Sequence, residues 1–153
     1  MSDEAVYVQV KGLEQILKAL KSQPPVVKVG ILGDAHREGG GTNAEVGAAH
    51  EFGTSTIPMR SFLRVPITEG LQKEMDKSHL SDPETIKKVI KDGTIVEWMT
   101  QISVCAEACV SDAFDTGGNG KWPAWKSSSY ENNTGQLLVD TQQLRESVTS
   151  KVK

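Results

Sequence analysis

Residues 82–114 read DPETIKKVIKDGTIVEWMTQISVCAEACVSDAF, and this stretch decides the architecture. Asp82 supplies an N-cap, Pro83 suits the first helical turn, and Glu84 places negative charge at the positive end of a helix dipole. From there Ile86, Val89, Ile90, Val96, Met99, Ile102, Cys109, Val110 and Ala113 recur as an apolar stripe. The spacing predicts one helix running to about Phe114, with Gly93 as a kink or close-packing point. A helix of that length is the backbone against which the remaining elements must pack.

Working outward, Val6, Val8 and Val10 alternate with Tyr7 and Gln9, the period of two expected of a half-buried strand. Leu13, Ile16, Leu17 and Leu20 then recur at i, i+3, i+4 and i+7, with Lys18 and Lys21 facing away, until Pro24-Pro25 stops the helix. Residues Val26 to Leu32 form a second strand with Val27, Val29 and Ile31 on one face. Short helices are expected at Glu45–Phe52 and at Val65–Leu80, the latter with Leu71 and Met75 inward. After Leu137–Leu144, the alternation of Val148 and Val152 predicts a terminal strand, which needs a sheet edge to pair with. The fold class is therefore α+β: a small antiparallel sheet packed against one long helix and shorter helices. Two long flexible loops complete it, one around Gly39-Gly40-Gly41 and one from Asp115 to Gly135, whose Trp122 and Trp125 are expected either to meet a partner or to fold back onto the long helix as core. With 153 residues the chain has the length of one ordinary domain, taken as 1–153.

The segment His50-Glu51-Phe52-Gly53-Thr54-Ser55-Thr56-Ile57-Pro58-Met59-Arg60-Ser61-Phe62-Leu63-Arg64 is the most informative for function. Gly53 ends the preceding helix, and Pro58 fixes its own backbone angle and biases Ile57 away from helix. The expectation is an extended arm, too polar to be core, that presents Arg60 and Arg64 for forked contacts to carboxylates of a neighbouring subunit.

This segment resembles the signature of the virion morphogenesis and tail-completion proteins of tailed bacteriophages, in which Glu-Phe-Gly precedes Pro-x-Arg-x-Phe-Leu. A second block, Lys121-Trp122-Pro123-Ala124-Trp125, and a third, Leu137-Leu138-Val139-Asp140-Thr141-Gln142-Gln143-Leu144-Arg145-Glu146-Ser147-Val148, resemble later parts of the same family. The chain departs from the pattern at Gln142, where glycine is usual. The resemblance covers roughly residues 5–152. It implies a neck component at the head–tail junction that binds copies of itself in a ring, taken as a hexamer from tail symmetry. It further implies a head-completion or connector protein on one face and a tail terminator or tail tube protein on the other. The contact residues implied are Glu51, Phe52, Pro58, Arg60, Phe62, Arg64, Trp122, Trp125, Tyr130 and Arg145, and the location is the virion, after assembly in the host cytoplasm. The alternative is a monomeric protein-binding module of the inhibitor or immunity type.

The rest of the chain argues against other chemistry. Seventeen basic and 20 acidic side chains give a net charge of −3, with no like-charge block, so neither a specific nucleic-acid surface nor a membrane-binding helix is visible. No apolar run approaches the length of a membrane span, and the acidic start Met1-Ser2-Asp3-Glu4 lacks the features of a secretion signal. His50-Glu51 lacks the second histidine of a zinc-protease helix, because position 54 is Thr54. The glycines at 39–41 lack the lysine and spacing of a phosphate loop. No Gly-x-Ser-x-Gly turn occurs, and Asp112, Asp115 and Asp140 have no spacing that pairs carboxylates. His36, His50 and His79 match no ligand motif, so Cys105 and Cys109, set among Val104, Ala106, Ala108 and Val110, read as buried packing residues. No enzyme, cofactor or metal site is expected.

Overall fold

A computed structural model describes residues 25–33, 41–124 and 142–153, together with Lys18. The expected strand at Val6–Val10, most of the helix at Leu13–Leu20, Gly39 and Gly40, Trp125, Tyr130 and the stretch Leu137–Thr141 lie outside the described residues.

Strand β1 (Val27–Ile31) is followed by α1 (Asn43–Phe52), α2 (Arg64–Lys77), α3 (Pro83–Asp92), α4 (Ile95–Thr116), the short α5 (Gln143–Glu146) and β2 (Val148–Val152). The two strands pair antiparallel, Val27 opposite Val152 and Ile31 opposite Val148. Directly opposed residues share a face. Val27, Val29 and Ile31 therefore lie with Val148, Ser150 and Val152, while Lys28 meets Lys151 on the other side. The sheet packs on α4, whose other main neighbour is α2. The fold is the small α+β arrangement, with α4 as its long helix.

Helix α4 earns its central place from its sequence. Ser103, Cys105, Ala106, Cys109, Val110, Ala113 and Phe114 are all buried, a stripe at helical spacing made mostly of small side chains. Small side chains let helices approach closely: a methyl group at Gly70 of α2 would stand 3.2 Å from the Cys109 sulfur. Both thiols are free and buried, and burial pushes the Cys109 thiol above its ordinary range. The core cluster consists of Phe62, Val110, Phe114 and Leu144, with Ile31, Leu63, Ile67, Trp122 and Val148 packed around it.

The single helix expected over 82–114 is in fact two. Gly93 adopts φ 72°, ψ 23°, the left-handed conformation that terminates α3, and its N–H reaches back to the Val89 carbonyl at 3.0 Å. A residue without a side chain enters this region at no steric cost, so Gly93 acts as a stop and not a kink. Asp82 is the N-cap by backbone geometry, but its side chain makes no capping hydrogen bond. Helix α1 begins two residues earlier than expected because Thr42 and Glu45 form a reciprocal capping box.

The first part of the expected loop at 115–135 is also ordered. Gly117, Gly118, Asn119 and Gly120 all have positive φ, between 56° and 73°, a short left-handed turn that three glycines and an asparagine make accessible. The turn closes through the Lys121 N–H to the Gly118 carbonyl and the Trp122 N–H to the Gly117 carbonyl. It reverses the chain at the end of α4 and lays Trp122 back against Phe114.

Candidate functional site

Glu51 sits in the last turn of α1 and is buried, and its carboxylate gathers the start of α2. Oε1 accepts from the Ser61 hydroxyl at 2.6 Å and the Arg64 N–H at 3.2 Å; Oε2 accepts from the N–H groups of Phe62 and Leu63 at 2.9 and 3.0 Å. The first N–H groups of a helix have no partner within the helix, and the N-terminus is the positive end of its dipole. A carboxylate from the preceding helix meets both needs. The Ser61 hydroxyl extends the cap by accepting the Val65 N–H at 3.1 Å. Arg64 adds a longer contact, its Nε 3.7 Å from Oε1, with 62% of its side chain exposed.

The arm between these helices is not held open. Gly53, at φ 73°, leads into a turn in which the Thr54 N–H donates to the Ile57 carbonyl and the Thr54 hydroxyl accepts from the Ile57 N–H. The Arg60 N–H then returns to the His50 carbonyl at 2.7 Å. The expectation that Arg60 projects into solvent is corrected: the residue is 0% exposed. Its guanidinium donates from Nε to the Pro123 carbonyl at 2.9 Å and from Nη2 to the Ala124 carbonyl at 3.1 Å. Burial lowers its pKa, yet a guanidinium starts so high that it keeps its proton.

Phe62 is likewise core and not surface. Its ring lies 5.3 Å from Phe114, and Phe114 meets Trp122 edge to face at 5.9 Å. The indole N–H of Trp122 donates to the Ser61 carbonyl at 3.3 Å. Glu51, Arg60, Phe62 and Trp122 therefore form one joint inside the molecule. Arg145 is bound at another place, where its guanidinium forks onto both oxygens of Asp115 at 2.6 and 2.9 Å and reaches Ser111.

Two of the sequence-derived contact residues remain well exposed: Phe52, 68% accessible, and Arg64; Met59 between them is 53% accessible, and Pro58 is half-buried. Trp125 and Tyr130 fall outside the described residues. Sequence reasoning missed Ser61, which lies two residues before the N-cap position Leu63 and so outside the ordinary helix-start signal. It also missed the carbonyls of Pro123 and Ala124, for which no side-chain pattern exists.

Among the described residues no group of three or more His, Cys, Asp or Glu side chains is placed to hold a metal ion, and no helix is long and apolar enough to cross a membrane. The chain matches no protein-family model, no curated protein and no solved structure.

Proposed function

We propose that this protein is a structural assembly component of a tailed phage or prophage, forming a ring at the head–tail junction and completing the neck or tail. One observation supports the reading above others: blocks of the resemblance that are far apart in sequence meet at a single joint. Glu51 of the first block caps the helix that Arg64 opens. Arg60 binds the backbone of the Trp-Pro-Ala block, and Leu144 of the third block shares the core cluster with Phe62. The motif residues are occupied in fixing geometry, which is what a part that matches two prebuilt structures requires.

In this reading the buried members set the shape, while Phe52, Met59 and Arg64 form the contact surface toward a neighbouring copy. The faces of the ring meet the connector or head-completion protein and the tail terminator or tube. Deleting the gene is expected to leave capsids and tails assembled but unjoined, and adding purified protein to that extract to restore infectivity without added nucleotide or metal. Phe52→Asp protein should remain folded and fail to restore it. Abundant joined virions in the deletion strain would overturn the proposal. The second reading, a monomeric protein-binding module, is favoured by an apolar groove beside Phe52. It predicts a stable one-to-one complex with a foreign protein and no effect on joining.

A further inference from the structure

A ring of identical subunits is built from heterologous contacts, so each copy needs two different surfaces that fit each other. Phe52, Met59 and Arg64 supply the first. The second must combine apolar area with a carboxylate, because Arg64, with 62% of its side chain exposed, brings a cation into the contact. Among the described residues the exposed large apolar side chains fall in four places: Val26 and Leu32 at the two ends of β1, Phe52 and Met59 beside the arm, Ile86 and Ile90 on α3, and Val96 and Val104 on α4.

Charge separates these places. Between Val26 and Leu32 stands Lys28, directly opposite Lys151 on β2, so that face of the sheet repels Arg64. Helix α3 sets Lys87, Lys88 and Lys91 against Glu84 and Asp92, and Glu84 is already bonded to Lys87. Helix α4 carries Glu97, Glu107, Asp112 and Asp115 and no lysine or arginine. Asp115 is taken by Arg145, and Glu97 in the first turn suits the positive end of the helix dipole. Glu107, in mid-helix, has neither reason, and among the described residues it enters no ion pair. It shares a face with the exposed valines. Val96, Thr100 and Val104 follow one another a turn apart, and Glu107 comes three residues after Val104, on the side of α4 turned away from its buried stripe.

We infer that this outer face of α4 is the second ring surface, an assignment that rests on the ring proposed above. It receives the first surface of the next copy: Phe52 and Met59 meet Val96 and Val104, and Arg64 meets Glu107. The contact runs head to tail, so a copy stripped of one surface keeps the other.

Mixing full-length Met59→Cys protein with full-length Val104→Cys protein under mild oxidation tests the contact, since the chain's own thiols, Cys105 and Cys109, are buried. The expected product, identified by peptide mapping, is a disulfide from position 59 of one chain to position 104 of the other. Bonds of 59 to 59 or 104 to 104 alone, or no interchain bond, would overturn the inference. Glu107→Lys in the Val104→Cys chain sets like charge against Arg64 and should cut the yield about tenfold. Lys28→Glu in the same chain should leave it unchanged, and equal yields from the two would also overturn the inference. In the joining assay Val104→Asp protein, its melting temperature unaltered, should fail to restore infectivity as Phe52→Asp does. Full restoration by Val104→Asp would overturn the α4 surface and spare the ring, whereas joined virions in the deletion strain would overturn the ring itself.

Discussion

The joint around Glu51 and the helix α3 stand at opposite ends of a scale. Helix α3 has the clearest amphipathic pattern among the described helices, yet none of its residues is buried, and Ile86 is still 38% exposed. Its polar contacts are local, such as Lys87 to Glu84 at 2.7 Å. The segment 57–64 has no periodicity, yet it holds Arg60, Ser61 and Phe62 buried and bonds to residues ten to sixty-four positions away. Regular patterning reports which face of an element is apolar. It does not report how much of the structure depends on that element.

Paired substitutions put the contrast at risk. Each region has a glutamate near a helix N-terminus, and the largest effect is expected from this pair. Glu51→Ala strips four donors of one buried acceptor group and should cost about 3 kcal/mol, about 10 °C in melting temperature, while Glu84→Ala stays below about 0.5 kcal/mol. Equal losses in a thermal melt would abolish the distinction.

The cations come next. Arg60→Met leaves the Pro123 and Ala124 carbonyls without their donor and should lower stability by about 2 kcal/mol in urea titration. Arg64→Ala, mostly solvated, should change it by less than about 0.5 kcal/mol. Arg60→Lys is expected to rescue little, since an ammonium lacks the planar fork that serves two carbonyls.

Glycines give a smaller but structurally sharper pair. A methyl group on Gly118 would lie 2.3 Å from the Trp122 indole nitrogen, whereas at Gly93 nothing stands within 4 Å. Both have positive φ, so each alanine bears about 1 kcal/mol of backbone strain. Only Gly118→Ala should also displace Trp122, seen as a red shift of tryptophan emission and a further loss of about 1 kcal/mol.

The sequence showed the helices near 45–52 and 65–80, the strands near 26–32 and 148–152 and the α+β class because periodicity and caps are local signals, but not that these two strands pair with each other. The division of 82–114 was hidden because Gly93 can be accommodated within a helix or end one, and local pattern does not choose between them. The site was only half legible. The resemblance picked out Glu51, Arg60, Phe62 and Trp122, but polarity assigned Arg60 to the surface. Its acceptors are backbone carbonyls more than sixty residues away, which leave no mark on composition.

Gln142 offers the smallest test. It departs from the glycine usual in the resembling family, yet its φ is 55°, the left-handed conformation that glycine adopts freely. A residue with a side chain bears backbone strain in this conformation. Gln142→Gly should therefore raise stability by up to about 1 kcal/mol in a chemical melt, with unchanged Arg145–Asp115 pairing.

The pairing of Val27 with Val152 and of Ile31 with Val148 has a consequence for biosynthesis. On a ribosome β1 emerges roughly 120 residues before its partner, which at 5–20 residues per second is a delay on the order of ten seconds. Helices α1 to α4 can form during that interval, but the sheet cannot. Among the described strands, the edge of β1 that β2 occupies stays open until β2 arrives, so this pairing can form only after helices α1 to α4 have been synthesised.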